Sequence, residues 1–268
     1  MRAYVINLDA ATDRWASLER SFSTTSLTLH RIAGIDGRAL RFPCQDYSEA
    51  RFRWLHGRPT SLGHVGCYLS HVRAMRAFLA TDDTHALIGE DDVILGPDFE
   101  SILNAALRYS RHWNVLRLTG LSRGVPLGVA RLTGDHFLCV SLGRLKGTGA
   151  YIVDRKAAHA FIKHLLPMWL PIDHAMDREW FFGICAAYVL PFPASQTQSG
   201  FRSSIHTGKA QKLSVLRRCL ATYPYQVFNE VSRWLFRTSC YLKTKIALAG
   251  RASSSLPILA LMFPPFTF

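Results

Sequence analysis

Long hydrophobic runs are missing from this chain. No stretch approaches the roughly 20 apolar residues that a bilayer span needs. The nearest, residues 256–263, is short and stops at Pro264 and Pro265. Neither G-x-G-x-x-G nor G-x-x-x-x-G-K-[ST] occurs, which argues against a dinucleotide enzyme and a P-loop NTPase. There is no C-x-x-C pair either, so zinc binding and dithiol redox chemistry lack their usual ligands. Cys44, Cys67, Cys139, Cys185, Cys219 and Cys240 stand far apart, mostly in apolar surroundings. They read as small buried hydrophobes in a reducing compartment. The first residues offer only a short apolar run before Asp9, which reads as a strand rather than a secretory leader.

Acidic residues are also scarce. The 268 residues hold 19 Asp and Glu against 32 Lys and Arg, a net charge of +13. The imbalance is local: residues 1–200 carry 22 cations and 18 anions, whereas residues 201–268 carry 10 cations and Glu230 alone. A nearly neutral domain over residues 1–208 is therefore expected to precede a basic segment, residues 209–268, aimed at an anionic partner. With 49% hydrophobic residues the chain has the means to bury a core.

What is present alternates between strand and helix signals. Apolar runs at residues 3–8, 27–32, 85–89, 114–118, 137–142, 150–153 and 187–190 read as strands. Helices are expected over residues 15–22 behind Thr12 or Asp13, 62–79 behind Ser61, 97–109, 156–166 behind Asp154, and 171–182. The result is an α/β class with a mixed, mostly parallel central sheet. Residues 38–60 give no clear signal.

Four constellations carry chemistry. Glu90-Asp91-Asp92 follows a strand directly. Three adjacent carboxylates repel one another unless a cation sits among them, and a hard ion such as Mn²⁺ or Mg²⁺ with open positions for a nucleotide diphosphate suits them. The ordinary alternative is an acidic loop capping the next helix. Asp173, His174 and Asp177 lie in one expected helix, with the two carboxylates four apart on one face, as a general base needs; plain helix-terminus electrostatics is the rival reading. Ser70 and His71 lie on a helix that opens at Gly63 and Gly66, small residues that let a ligand near the backbone. Gly147-Thr148-Gly149 leads into a strand and shapes a sugar pocket or a bulge.

The order of these motifs resembles glycosyltransferase family 25: Val5-Ile6-Asn7-Leu8-Asp9 with Arg14, Ile35-Asp36-Gly37, Gly66 through His71, Glu90-Asp91-Asp92, Gly147 through Tyr151, Pro171-Ile172-Asp173 and Ser203-Ser204-Ile205. The resemblance spans residues 1–206. It implies a GT-A-like fold, a UDP-sugar donor with galactose the usual sugar, and Mn²⁺ or Mg²⁺ held by Glu90, Asp91 and Asp92. It also implies a glycan acceptor in lipooligosaccharide or lipopolysaccharide synthesis. Asn7, Asp9, Arg14, Asp36, Ser70, His71 and Thr148 are then expected to bind the donor. Asp173 is expected to be the base of an inverting transfer, with Asp177 and His174 behind it. The sequence departs from the family at Gly89, where a bulky aliphatic residue is common, and at Gly149, where histidine is common.

Beyond residue 209, basic residues interleave with aromatics such as Tyr223, Phe228, Trp234 and Tyr241. An interfacial helix on an anionic membrane is expected there, split by Pro224. A packed helical subdomain and a nucleic-acid surface are the rivals, the last disfavoured. The expected location is cytoplasmic, peripheral at the inner membrane face. Two other functions compete with transfer: a non-catalytic nucleotide- or anionic-lipid-binding protein of the same fold, which the intact acids disfavour, and a metal-dependent phosphoesterase, whose His-x-Asp ligand runs are missing.

Overall fold

The computed structural model describes residues 1–122, 124–196 and 214–252, with residues 251 and 252 by backbone alone. The expected boundary at 208/209, the Ser203-Ser204-Ile205 motif and the apolar run at 256–263 lie outside the described residues.

Among the described residues, ten strands and nine α-helices follow in order: β1 Arg2–Asn7, α1 Thr12–Phe22, β2 Thr28–Ala33, α2 Glu49–His56, α3 Leu62–Leu79, β3 His85–Glu90, β4 Val93–Leu95, α4 Phe99–Leu107, β5 Val115–Arg117, β6 Pro126–Arg131, β7 Phe137–Ser141, β8 Ala150–Asp154, α5 Arg155–His164, α6 Ile172–Met176, α7 Glu179–Phe182, β9 Ala186–Leu190, β10 Ala194–Gln196, α8 Val215–Arg217 and α9 Tyr223–Ala252. Eight strands form one sheet in the order β2-β1-β3-β8-β5-β9-β7-β6. The pairs β1–β2, β1–β3 and β5–β9 are parallel, and the other four are antiparallel. Only β8 and β7 run against the common direction, so the sheet is mixed but mostly parallel. A second ladder pairs β10 with β4 antiparallel.

Apolar side chains fill both faces of the large sheet. One layer holds Val65, Tyr68, Met75, Phe78 and Phe161 from α3 and α5. The other holds Leu18, Phe22, Phe99, Ile102 and Leu103 from α1 and α4. The caps behave as their residue types require. Ser61 accepts the His64 N–H at the start of α3, and Asp154 accepts the Ala157 N–H at the start of α5. Residues 38–60, unreadable in sequence, supply α2. The helix expected over 171–182 breaks into α6 and α7, because Asp177 turns inward into an ion cluster.

The space beside Gly66 is taken by the chain itself. A Cβ on Gly66 would lie 2.2 Å from the Ile35 carbonyl oxygen, and one on Gly37 would lie 1.7 Å from that of Leu62. The small residues thus admit the turn before α3, not a ligand, which corrects the sequence expectation. Since the obstacle is backbone, Gly66→Ala should cost about 3 kcal/mol or more and lower Tm by roughly 10 °C. A calorimetric Tm within 2 °C of wild type, on about the same scale, would contradict that packing.

The C-terminal helix is one continuous rod from Tyr223, and Pro224 does not split it. Proline costs least in a first turn, and a π turn at Arg218–Thr222 widens the backbone just ahead of it. The inward face of α9 packs on α7, β6 and β7. Its buried residues include Asn229, Arg233, Arg237, Cys240 and Thr244. Arg237 donates to Asp177 at 2.5 Å and to Glu179 at 2.6 Å, and Arg233 lies 3.1 Å from Asp177. A disulfide joins Cys185 to Cys240 across 55 residues. This corrects the reading of six unpaired cysteines: only the return of α9 over the sheet brings these two together. Among the described residues, no helix is long and apolar enough to cross a membrane.

Candidate active site

The site forms where β1, β3 and the loop before β8 end side by side. Parallel pairing of β1 with β3 sets Ile6 opposite Glu90, so Asn7 emerges next to the acidic turn. Asn7 donates through Nδ2 to Asp91 at 2.7 Å, and Arg14, from the first turns of α1, pairs with Asp91 at 2.9 Å. Both Asp91 oxygens are therefore engaged. Burial, the largest influence, holds the Asp91 carboxyl above its ordinary value despite Arg14.

Glu90 faces the opposite way. Its Oε1 accepts from the Thr148 hydroxyl at 2.9 Å and lies 3.4 Å from His71 Nε2. His71 is fully buried on α3 and fixed by Tyr151 through Nδ1 at 2.9 Å. Its Nε2 has no hydrogen-bond partner and is directed at Glu90. Burial pushes Glu90 up most strongly, but His71 and Thr148 together outweigh it, and the carboxyl ends below its ordinary value.

Asp92 occupies the third position. Burial, then the neighbouring Glu90 charge, raise its pKa to about 6, while the Gln196 amide opposes the rise. Gln196 donates to both Asp92 oxygens, at 3.2 and 3.4 Å, from the end of β10. A Cβ on Gly149 would stand 2.3 Å from the Gln196 side chain. The departure from the family at Gly149 thus leaves room for the amide that steadies Asp92.

Asp173 lies across from these acids on α6 and is half-buried. Its Oδ2 accepts the Gly147 N–H at 3.2 Å and its Oδ1 accepts the His174 N–H at 2.9 Å. Arg117 donates to the Gly147 carbonyl at 2.7 Å from below the loop. Residue 147 needs a glycine, since its φ is 92°. Asp173 raises the pKa of Cys67 and opposes the lowering of His56, His64 and His174. Its charge therefore reaches both the acidic turn and the histidines beyond.

Asn7, Arg14, Asp91, Glu90, His71, Thr148, Asp92 and Asp173 are thus drawn into one connected site. Others are not. Asp9 is exposed and pairs with Arg31 at 2.6 Å. Asp36 is held by its neighbour Arg38 at 2.7 Å. Ser70 is buried, accepts the Ile35 N–H at 2.8 Å and donates to the Gly66 carbonyl at 2.7 Å, so its hydroxyl is spent on the turn. Asp177 is 0% exposed and bound by arginines. An acceptor hydroxyl cannot reach it, which corrects its reading as a second base. His174 packs edge-on against His56, with ring centroids 5.3 Å apart, and lines a neighbouring cavity. Gln196 and Arg117 were missed, and only a lone glutamine and a strand arginine marked them in sequence.

Burial and then the Glu90 charge raise the Asp92 carboxyl, and a hard cation with oxygen ligands would suit these two acids. A group of Cys67, His71 and Glu90 atoms within 4.8 Å of one another is less suited. Burial holds the Cys67 thiol well above its ordinary pKa, so the thiolate that a metal would take is unfavourable.

Comparison with known proteins agrees with the motif order. Residues 1–124 match the family model described as glycosyltransferase family 25 (LPS biosynthesis protein). Among curated proteins, a glycosyltransferase 25 family member of Anopheles gambiae is 24% identical over 196 residues, covering 66% of this chain and 32% of that protein. One from Aedes aegypti is 27% identical over 186 residues, covering 63% of this chain and 29% of that protein. The chain thus spans about a third of the length of these relatives. Over residues 1–124, and through these relatives, the chain is similar to glycosyltransferase family 25.

Proposed function

We propose that the protein is a GT-A-like, metal-assisted glycosyltransferase that moves a hexose, galactose foremost, from a UDP-sugar to a glycan acceptor of the lipooligosaccharide or lipopolysaccharide type, with inversion. The observation that carries this reading is the opposition of Asp173 to the Glu90–Asp92 pair across the Gly147-Thr148 loop. Glu90 and Asp92 would hold Mn²⁺ or Mg²⁺, which when bound supplies charge stabilisation for the departing diphosphate. Asn7 and Arg14 fix Asp91 and with it the turn. His71 and Thr148 keep Glu90 ionised and oriented. Asp173 accepts the proton of the attacking acceptor hydroxyl as the bond to the anomeric carbon forms and the bond to the diphosphate oxygen breaks. A screen of nucleotide sugars for nucleotide release tests the donor: UDP-hexoses should turn over, and preference for a GDP-, CMP- or TDP-sugar would refute the assignment.

The outer face of α9 supports a location on an anionic membrane. Val227, Phe228, Val231, Trp234, Leu235, Leu242 and Ile246 are each more than half exposed and recur at helical spacing. The stripe runs for about 28 Å at 1.5 Å per residue. Lys243 is exposed within the stripe and Arg217 is exposed on α8 ahead of it, and Glu230 is held by Arg144 and Arg233. An apolar, aromatic and positively charged face complements acidic lipid headgroups. The full chain should sediment with phosphatidylglycerol vesicles, less at high salt, and Phe228→Glu/Leu235→Glu should weaken this at least tenfold with UDP binding kept. Equal binding to neutral vesicles, or burial of the stripe in a dimer, would refute it.

A further inference from the structure

Beside Asp173 lies a cavity of about 390 Å³. Its wall includes His56, Arg58, Arg144, Lys146, His174 and Arg218, and among the described residues no carboxylate lines it. Arg144 is paired with Glu230 at 2.5 Å. Among the described residues, Arg58, Lys146 and Arg218 have no carboxylate within ion-pair distance. They come from separate parts of the chain: the end of α2, the loop before β8 and the π turn leading to α9. Unpaired cations gathered in a concave wall repel one another unless an anion enters. Burial is the main reason both histidines are lowered, His56 to about 4; Asp173 opposes, while Arg58 at His56 and Arg144 and Lys146 at His174 add to the lowering.

We infer that this cavity is an acceptor subsite that seats an oxyanion, phosphate or carboxylate, carried on the glycan to be extended. The placement separates it from the donor side. Lys146 lines the cavity, Gly147 bonds Asp173, and Thr148 bonds Glu90. Two residue steps, at most about 7 Å, therefore lead from the cavity to the acidic turn, with Asp173 between them. A sugar anchored by its anionic group at Lys146 and Arg58 presents a ring hydroxyl to Asp173, as transfer requires. The role as acceptor subsite rests on the transferase reading; oxyanion binding does not.

The test is calorimetric titration of the full chain in EDTA with glucose 6-phosphate, glucuronate and glucose, followed by UDP with Mn²⁺. Both anionic sugars should bind and glucose should not, and their ratio separates phosphate from carboxylate. Arg58 and Lys146 are exposed, so Arg58→Ala/Lys146→Ala should fold normally and lose affinity for the anionic sugars at least tenfold, with UDP affinity unchanged. Circular dichroism checks the fold, and if the pair misfolds, Lys146→Gln alone should still lose severalfold affinity. The inference is overturned if glucose 6-phosphate and glucuronate bind no better than glucose, if the variants bind them as wild type does, or if UDP affinity is what falls. Failure of UDP to bind wild type, with the anionic sugars still held, would sink the transferase reading instead.

Discussion

Asp173→Asn should lower kcat by about 10²–10⁴-fold, with UDP affinity near that of wild type. A general base acts on the acceptor proton during transfer and makes no contact with the nucleotide. The variant keeps the size of the side chain, and its Oδ1 still accepts one of the two backbone N–H groups that Asp173 binds, at 2.9 and 3.2 Å. The Gly147 loop therefore retains most of its support, including the Arg117 bond to the Gly147 carbonyl. The measurement is steady-state transfer with calorimetric UDP affinity on the same preparation. A variant with more than about a third of wild-type kcat would remove Asp173 from the role, and Asp177 cannot replace it because it has no exposed surface.

Asp92→Ala should abolish metal-dependent UDP binding, and Asp92→Asn should come close to doing so. Of the three adjacent acids, Asp91 already pairs with the Arg14 cation, whereas Gln196 offers Asp92 only a neutral amide, so Asp92 with Glu90 is proposed to meet the cation. A pKa of about 6 adds a pH signature. Proton and cation compete for the same oxygens, so metal-dependent affinity should fall by about tenfold per pH unit below 6. The stability sign runs the other way. A carboxyl that holds its proton more tightly folded than unfolded stabilises the fold most at low pH and loses that contribution as pH rises from about 4 through 6. Without metal, Asp92→Asn should therefore be more stable than wild type above pH 6, by about 1–2 kcal/mol after allowance for solvent screening. Chemical denaturation at pH 5 and 8 in EDTA measures it. A variant less stable than wild type at pH 8 would show that the acids do not burden each other.

The legible parts of this molecule are those where a local signal and the tertiary demand coincide. Asn7 and Glu90 were readable because each ends an apolar run, and strand tips carry polar groups. Ser61 and Asp154 cap the expected helices because their side chains satisfy nearby N–H groups. What escaped depends on pairing between distant segments. Gln196 matters only because β10 pairs with β4 next to the acidic turn and Gly149 leaves it room. Asp177 looked like a partner of Asp173 because four residues separate them. Burial against Arg233 and Arg237, 56 and 60 residues away, instead ends the helix and turns the side chain inward. The basic helix misled in one further respect, since its inner arginines neutralise buried acids rather than face a partner.

The most direct measurement is the initial rate of sugar transfer from UDP-galactose by the full chain, first with Mn²⁺, then with excess EDTA, then with Mn²⁺ restored. The account predicts transfer that stops on chelation, returns with the metal and is absent at every step in Asp92→Ala. Transfer that continues at an unchanged rate in EDTA, or that survives the loss of Asp92, would contradict it.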